Sequence, residues 1–302
     1  MVGQARSYYP NHPPQRAKKR GRGPMILLLA IILAGGLLAY RLTVGDFQLG
    51  KGQPTNLKVA AAPKPSLSAA QASAMSAQIK SVISNNPAMD VGVAVRDLNN
   101  DQSFHYGVSN PFIAASISKV LTATLFLHQV ETGQRTLKKN VDGYTANYEL
   151  QELIEVSDDT AWQNLNDILT HASLSAYATK IGLQNYDPDQ NTLAVDDISL
   201  LLAKLYKGQL LNSAHTKMLM NYMHDANYDN WIVASVPNGV KTYHKIGFLA
   251  DRVNDAAIID DGKHPYVLVI FTKMDDGSDY DNTAGSQVFD SITAATTTAF
   301  LK

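Results

Sequence analysis

The run Pro111-Phe112-Ile113-Ala114-Ala115-Ser116-Ile117-Ser118-Lys119 sets a serine and a lysine three residues apart at the start of a helical pattern that continues to Thr132. Residues three apart share a helix face, so the Lys119 amine is within reach of the Ser116 hydroxyl and can take its proton. Taken alone, the pair reads better as a capping serine followed by a solvated lysine. Two further elements give it a context. One is Val156-Ser157-Asp158-Asp159-Thr160-Ala161; the other is His244-Lys245-Ile246-Gly247, on a predicted strand after Val236-Pro237-Asn238-Gly239.

Outward from these elements the chain alternates in a definite order. Ser68 is an N-cap candidate for a helix to about Ser84. Two extended segments follow, Val91 to Arg96 and Gln102 to Tyr106, with Asn99-Asn100-Asp101 as the turn between them. Helical patterns then cover Ser116 to Thr132, Asn147 to Glu155, Asp158 to Leu169, Leu174 to Ile181, Val195 to Tyr206 and Ser213 to His224. Val240 to Gly247, Asn254 to Asp260 and Tyr266 to Lys273 read as three strands, and a last helix runs from about Ser286 to Leu301. Strands at both ends with helices between predict an α/β (α+β) domain, a five-stranded antiparallel sheet completed only when the chain ends meet, beside a helical subdomain. The cleft between the two is the natural place for an active site.

The chain has 302 residues, 45% of them hydrophobic, which is enough for a substantial core. It contains no cysteine, which excludes a disulfide framework, a thiolate metal site and a Cys nucleophile. The formal net charge of -1 hides a division. Residues 1–24 hold six basic groups, Arg6, Arg16, Lys18, Lys19, Arg20 and Arg22, and no acid, so the remainder carries 20 basic against 27 acidic groups, or -7. An uncharged run from Met25 to Tyr40, extendable past Arg41 to Val44, follows the basic tail. About 20 helical residues cross a bilayer core, so 25–44 is expected to be a transmembrane signal-anchor, with the tail cytoplasmic and the body outside. Ala34-Gly35-Gly36 leaves the alternative of a cleaved signal peptide and a secreted body. The tail's charge is expected to serve topology and anionic lipid rather than nucleic acid. Residues 45–67, rich in Gly, Pro, Gln, Lys and Ala, read as a linker, and 68–302 as the catalytic domain.

The three elements, in this order and context, resemble those of the serine beta-lactamases and penicillin-binding proteins, and most closely the class A branch, over about Ser68 to Lys302. Pro111 to Ala115, Thr160-Ala161 and Asn254-Asp255-Ala256-Ala257-Ile258-Ile259 extend the likeness. The resemblance implies that Ser116 is the acylated nucleophile and Lys119 its base. It implies that Ser157 passes a proton to the leaving nitrogen, and that Lys245 attracts the substrate carboxylate while its charge presses down the pKa of Lys119. Backbone amides of Ser116 and Phe248 would form the oxyanion hole, with Asp159, Gly247 and Arg252 at the substrate. The implied partner is a beta-lactam or peptidoglycan-peptide-like small molecule, taken by a monomeric catalytic domain. No cofactor is implied. No metal is implied either, since the eight His residues show no His-Glu-x-x-His pattern.

Four departures accompany the likeness. Asp159 stands where the family usually has Asn, and a carboxylate there favours a charged Lys119. Ile246 replaces a hydroxyl residue between Lys and Gly. Ile181-Gly182 is followed by a short loop, Leu183 to Asn191, without the Glu that activates deacylating water in class A enzymes; Asp187 and Asp189 are read as turn residues around Pro188. Arg252 is one residue out of register with the Arg of many relatives. A deacylation-deficient penicillin-binding or peptidoglycan-recognition module, and a DD-peptidase or esterase, therefore stand beside a turning-over lactamase. Asp158 is read as a structural carboxylate, and Trp162 and Trp231 as core or cleft-wall aromatics.

Overall fold

The computed structural model describes residues 67–301, so the basic tail, the apolar run 25–44 and all of the linker but Leu67 lie outside the described residues. Among the described residues no helix is long and apolar enough to cross a membrane.

The first helix, α1 (Ala69–Ser84), begins at the expected cap. The Gln71 amide donates to Ser68 Oγ while the Ser68 amide donates to Gln71 Oε1, a reciprocal cap that contributes about 1 kcal/mol. Strands β1 (Met89–Asp97) and β2 (Ser103–Gly107) form the expected hairpin, with Asp101 at φ 66° in its turn. After β3 (Phe112–Ile113) a 3-10 turn, Ala115–Ser118, leads into α2 (Lys119–Glu131). The helical block continues with β4 (Asn140–Val141), β5 (Tyr144–Thr145), α3 (Ala146–Gln151), a π turn at Glu152–Val156, α4 (Asp159–Leu169) and α5 (His171–Lys180). Then come β6 (Thr192–Leu193), α6 (Val195–Tyr206), α7 (Ser213–His224), β7 (Lys241–Leu249), β8 (Arg252–Asp260), β9 (Tyr266–Met274) and α8 (Asn282–Phe300).

The main sheet has the order β2-β1-β9-β8-β7, every pair antiparallel. Its centre is the pairing of β1 with β9, in register from Met89↔Met274 to Asp97↔Tyr266, which joins the two ends of the domain as the sequence predicts. Alternation along β9 explains the layering. Val267, Val269 and Phe271 pack into the core shared with the helical block, whereas Tyr266, Leu268 and Ile270 pack under α1 and α8 with Met75, Ile79 and Phe289. Both faces are covered, so β9 reads as a continuous apolar run. Helix α2 is buried along Lys119 to Leu127 and is the axis of the helical block; Lys119 is its one buried charge.

Helices α5 and α8 begin three and four residues before the sequence reading, at His171 and Asn282. The helix expected from Ser116 starts as α-helix only at Lys119, because the preceding turn is tightened to 3-10. The pairings β3–β6 and β4–β5 were not foreseen: two-residue strands are too short to show a period.

Candidate active site

The turn before α2 is shaped by contacts from three directions. Ala115 has φ 50°, the left-handed region that costs an L-residue energy and persists only where its surroundings hold it. The Ala114 amide donates to the Asn191 carbonyl at 2.8 Å, and Asn191 Nδ2 donates to the Ala115 carbonyl at 3.0 Å. From the sheet, Asn254 Nδ2 donates to the Ile113 carbonyl at 3.0 Å. Strand β7 lies so close that a Cβ at Gly247 would stand 2.8 Å from both the Ala114 oxygen and the Ser116 nitrogen. Glycine is needed there for close approach.

Ser157 is brought in by a second strained backbone. It ends the π turn in the left-handed conformation, φ 61° and ψ 35°. Asp158 then caps α4, its Oδ1 accepting the Ala161 amide at 2.7 Å, which is the structural role expected of it. Lys119 Nζ donates to the Ser157 carbonyl at 2.7 Å and lies 3.3 Å from its Oγ; Lys245 Nζ donates to the same Oγ at 2.7 Å and to the Ile246 carbonyl at 3.0 Å. One hydroxyl thus links two buried amines. Ser116, half-buried, lines a cleft together with Asp159 and Phe248.

Asp159 holds Lys119 at 2.6 Å, an ion pair whose members differ sharply: the lysine side chain is 0% exposed and the aspartate 88%. Burial pushes the Lys119 amine below its ordinary value, while the Asp159 charge and hydrogen bond pull it back up, Asp158 adding a weaker pull. Lys245 is pushed well down, first by complete burial and next by the charge of Lys119, with Asp255 and Asp159 opposing. Repulsion between two buried cations is mutual, so Lys119 and Lys245 press on each other.

The cleft has a volume of about 530 Å³ and runs from Ser116 along α4, past Trp162, Gln163, Asn166 and Asp167, to His171 and Asp189. Trp162 is a wall residue, its Nε1 donating to Thr122 Oγ1 at 3.2 Å; Trp231 is buried against Tyr280 and Phe289. Asp187 is a turn residue, as expected, with Oδ1 accepting the amides of Asp189 and Gln190. Asp189 lines the cleft and pairs with His171 at 2.6 Å. Arg252 is not among the lining residues: its Nε and Nη2 fork onto Asp251 at 2.7 and 2.6 Å. A guanidinium so engaged and 7% exposed is no ready anchor for a substrate carboxylate. Asn191, Gln163, Asn166, Asp167 and His171 belong to no motif, and only the folded chain brings them to the serine. A larger depression at Leu98, Tyr206 and Lys263 carries none of these groups.

The opposition of burial and Asp159 sets a pH dependence. If Lys119 is the base, acylation rises with pH as its proton is lost and levels off below the ordinary lysine range of about 10.4. Asp159→Asn removes the upward pull, so the midpoint moves to lower pH and acylation at neutral pH quickens. Rates of adduct formation with benzylpenicillin between pH 6 and 10 check this; an unmoved midpoint or a slower reaction contradicts it.

A search of curated proteins returned no match. Among solved structures, PBP-A superposes with a TM-score of 0.68 at 23% identity, covering 74% of this chain and 95% of that one; a point mutant of PBP-A, alike in all these measures, was solved as an acyl-enzyme complex with penicillin G. The ancestral class A beta-lactamase GNCA superposes with a TM-score of 0.67 at 22% identity, over 75% of this chain and 100% of that one. The beta-lactamase of Sphaerobacter thermophilus DSM 20745 gives 0.67 at 21% identity, over 75% and 97%. These likenesses establish the fold, a five-stranded antiparallel sheet with helices in the beta-lactamase arrangement. A model described as the Beta-lactamase enzyme family matches residues 74–300, a span that contains every strand among the described residues and the whole serine–lysine cluster. By that match, the chain belongs to the beta-lactamase enzyme family.

Proposed function

We propose that the protein is an exported serine hydrolase acylated at Ser116 by beta-lactams or related amides and esters of the cell envelope. The observation that carries this reading is the junction at Ser157, where the amines of Lys119 and Lys245 meet one hydroxyl, while Asp159, the partner of Lys119, lines the same cleft as Ser116. Lys119, once neutral, takes the Ser116 proton as Oγ attacks the carbonyl, and amides of Ser116 and Phe248 hold the oxyanion. The proton passes through Ser157 to the leaving nitrogen as the C–N bond breaks. Export rests on the basic tail and the apolar run 25–44.

A second reading, acylation without turnover, has its own support. No glutamate lines the cleft; its carboxylates are Asp159 on Lys119, Asp189 on His171, and Asp167. None of these contacts positions a base for deacylating water. Intact-mass measurement of the full chain with benzylpenicillin over time separates the two. A transient adduct with released product marks a lactamase, a persistent adduct marks a penicillin-binding module, and the absence of any adduct refutes acylation by penicillins.

A further inference from the structure

We propose that Asp159 reads the charge of the substrate: a cationic group on the acyl side draws its carboxylate off Lys119, and Lys119 is then released to act as base for Ser116. The substrate class is thereby an amide or ester bearing an ammonium or similar cation, in preference to a wholly anionic one. This inference rests on the acylation of Ser116 proposed above.

The difference in exposure within the pair is the starting point. Here a fully buried amine depends on a carboxylate that is 88% exposed and stands in the wall of the nucleophile's cleft. Such a carboxylate can exchange one cation for another at little cost. The cleft beyond it has one sign. Asp159, Gln163, Asn166 and Asp167 follow one another along α4, a stripe of about 12 Å at 1.5 Å per residue, and Asp189 faces the far end. No lysine or arginine is among the lining residues, and the one basic group there, His171, is bonded to Asp189. An anion receives little help, because Arg252 is forked on Asp251 and Ile246 has no hydroxyl to offer.

The proton balance follows. Without a substrate, the Asp159 carboxylate at 2.6 Å favours the charged form of Lys119 against its burial, with the weaker field of Asp158 behind it. When a substrate ammonium takes Asp159, the buried Lys119 loses its nearest counter-charge and gives its proton to water. The neutral amine then accepts the Ser116 hydroxyl proton as the Oγ–C bond forms, and the leaving group departs with a proton delivered through Ser157. Asparagine at position 159 would leave Lys119 equally ready for every substrate; aspartate makes readiness conditional.

The test uses two penicillins alike except at the end of the side chain, the 5-aminopentanoyl and hexanoyl derivatives of 6-aminopenicillanic acid, so that the lactam and its carboxylate cancel. Acylation of the full chain is followed by intact mass over a range of probe concentrations, giving a maximal rate and a half-saturating concentration. The proposal expects a maximal rate about tenfold higher for the cationic probe, the factor that about 1.4 kcal/mol supplies. In Asp159→Asn, shown to be folded by its circular dichroism, the ratio falls to about one while the hexanoyl probe reacts faster than on the native chain. Equal maximal rates on the native chain overturn the proposal. So does a difference confined to half-saturation, which is mere attraction by an acidic cleft, or a ratio that persists in Asp159→Asn. Adduct formation with equal rates leaves the hydrolase reading standing, whereas no adduct with either probe on either chain removes that reading and this inference with it.

Discussion

Ser116→Ala gives a protein that forms no adduct with benzylpenicillin at concentrations that acylate the native chain, a loss of at least about 10³-fold. The hydroxyl is the only atom lost, and it is the one whose oxygen becomes part of the ester. Since the side chain is half-buried at the cleft surface, melting temperature should change little, by the equivalent of about 0.5 kcal/mol or less. Ser118→Ala is the matched control. Ser118 sits in the same turn but is fully buried, with Oγ donating to the Ala115 carbonyl at 3.2 Å, so its replacement should cost some stability and leave an adduct. Adduct formation by Ser116→Ala, or its loss only in Ser118→Ala, would assign the nucleophile wrongly.

Gly247→Ala should cost about 1–3 kcal/mol of stability and slow acylation by about 10²-fold. The added methyl group meets backbone on both near sides, 2.8 Å from the Ala114 oxygen and 2.8 Å from the Ser116 nitrogen. Neither atom is the end of a flexible side chain. Either β7 must move outward, carrying Lys245 from Ser157, or the strained turn at Ala115 must yield and reorient Ser116. Urea denaturation and the acylation rate are measured on the same preparation. Native stability with a native rate would show that strand and turn have more freedom than their spacing allows.

How far the sequence reached depended on the kind of signal. Helices α6 and α7 run over the residues that their apolar periodicity predicted, Val195–Tyr206 and Ser213–His224, because one face of each is plainly buried. The sheet was legible because Val91–Val95 of β1, Ala256–Ile259 of β8 and most of β9 are apolar runs, with turn residues between the late strands. Ser116, Lys119, Ser157, Asp159 and Lys245 were legible as motif residues, and the fold does bring them to one place. The pinning of the serine's turn by Asn191 was not, since a hydrogen bond from an isolated loop amide leaves no pattern in the chain. The fork of Arg252 onto Asp251 was not legible for a related reason: it is decided by the geometry of the short β7–β8 connection. The balance between the two lysines depends on which is buried more completely and which has Asp159 beside it, and composition holds neither fact.

The pairing of β1 with β9 also has a consequence in time. Ser116 and Lys119 leave the ribosome early, but Lys245 lies on β7, and β7 is attached to the rest of the sheet only through β8 and β9. Contacts this distant in sequence form late. A nascent or truncated chain ending before Tyr266 would carry its nucleophile and β7, but not β9, through which β7 and β8 join the rest of the sheet. The reactive serine is thus armed only when nearly the whole polypeptide has been made, and covalent labelling at Ser116 becomes a report on completed synthesis as well as on folding.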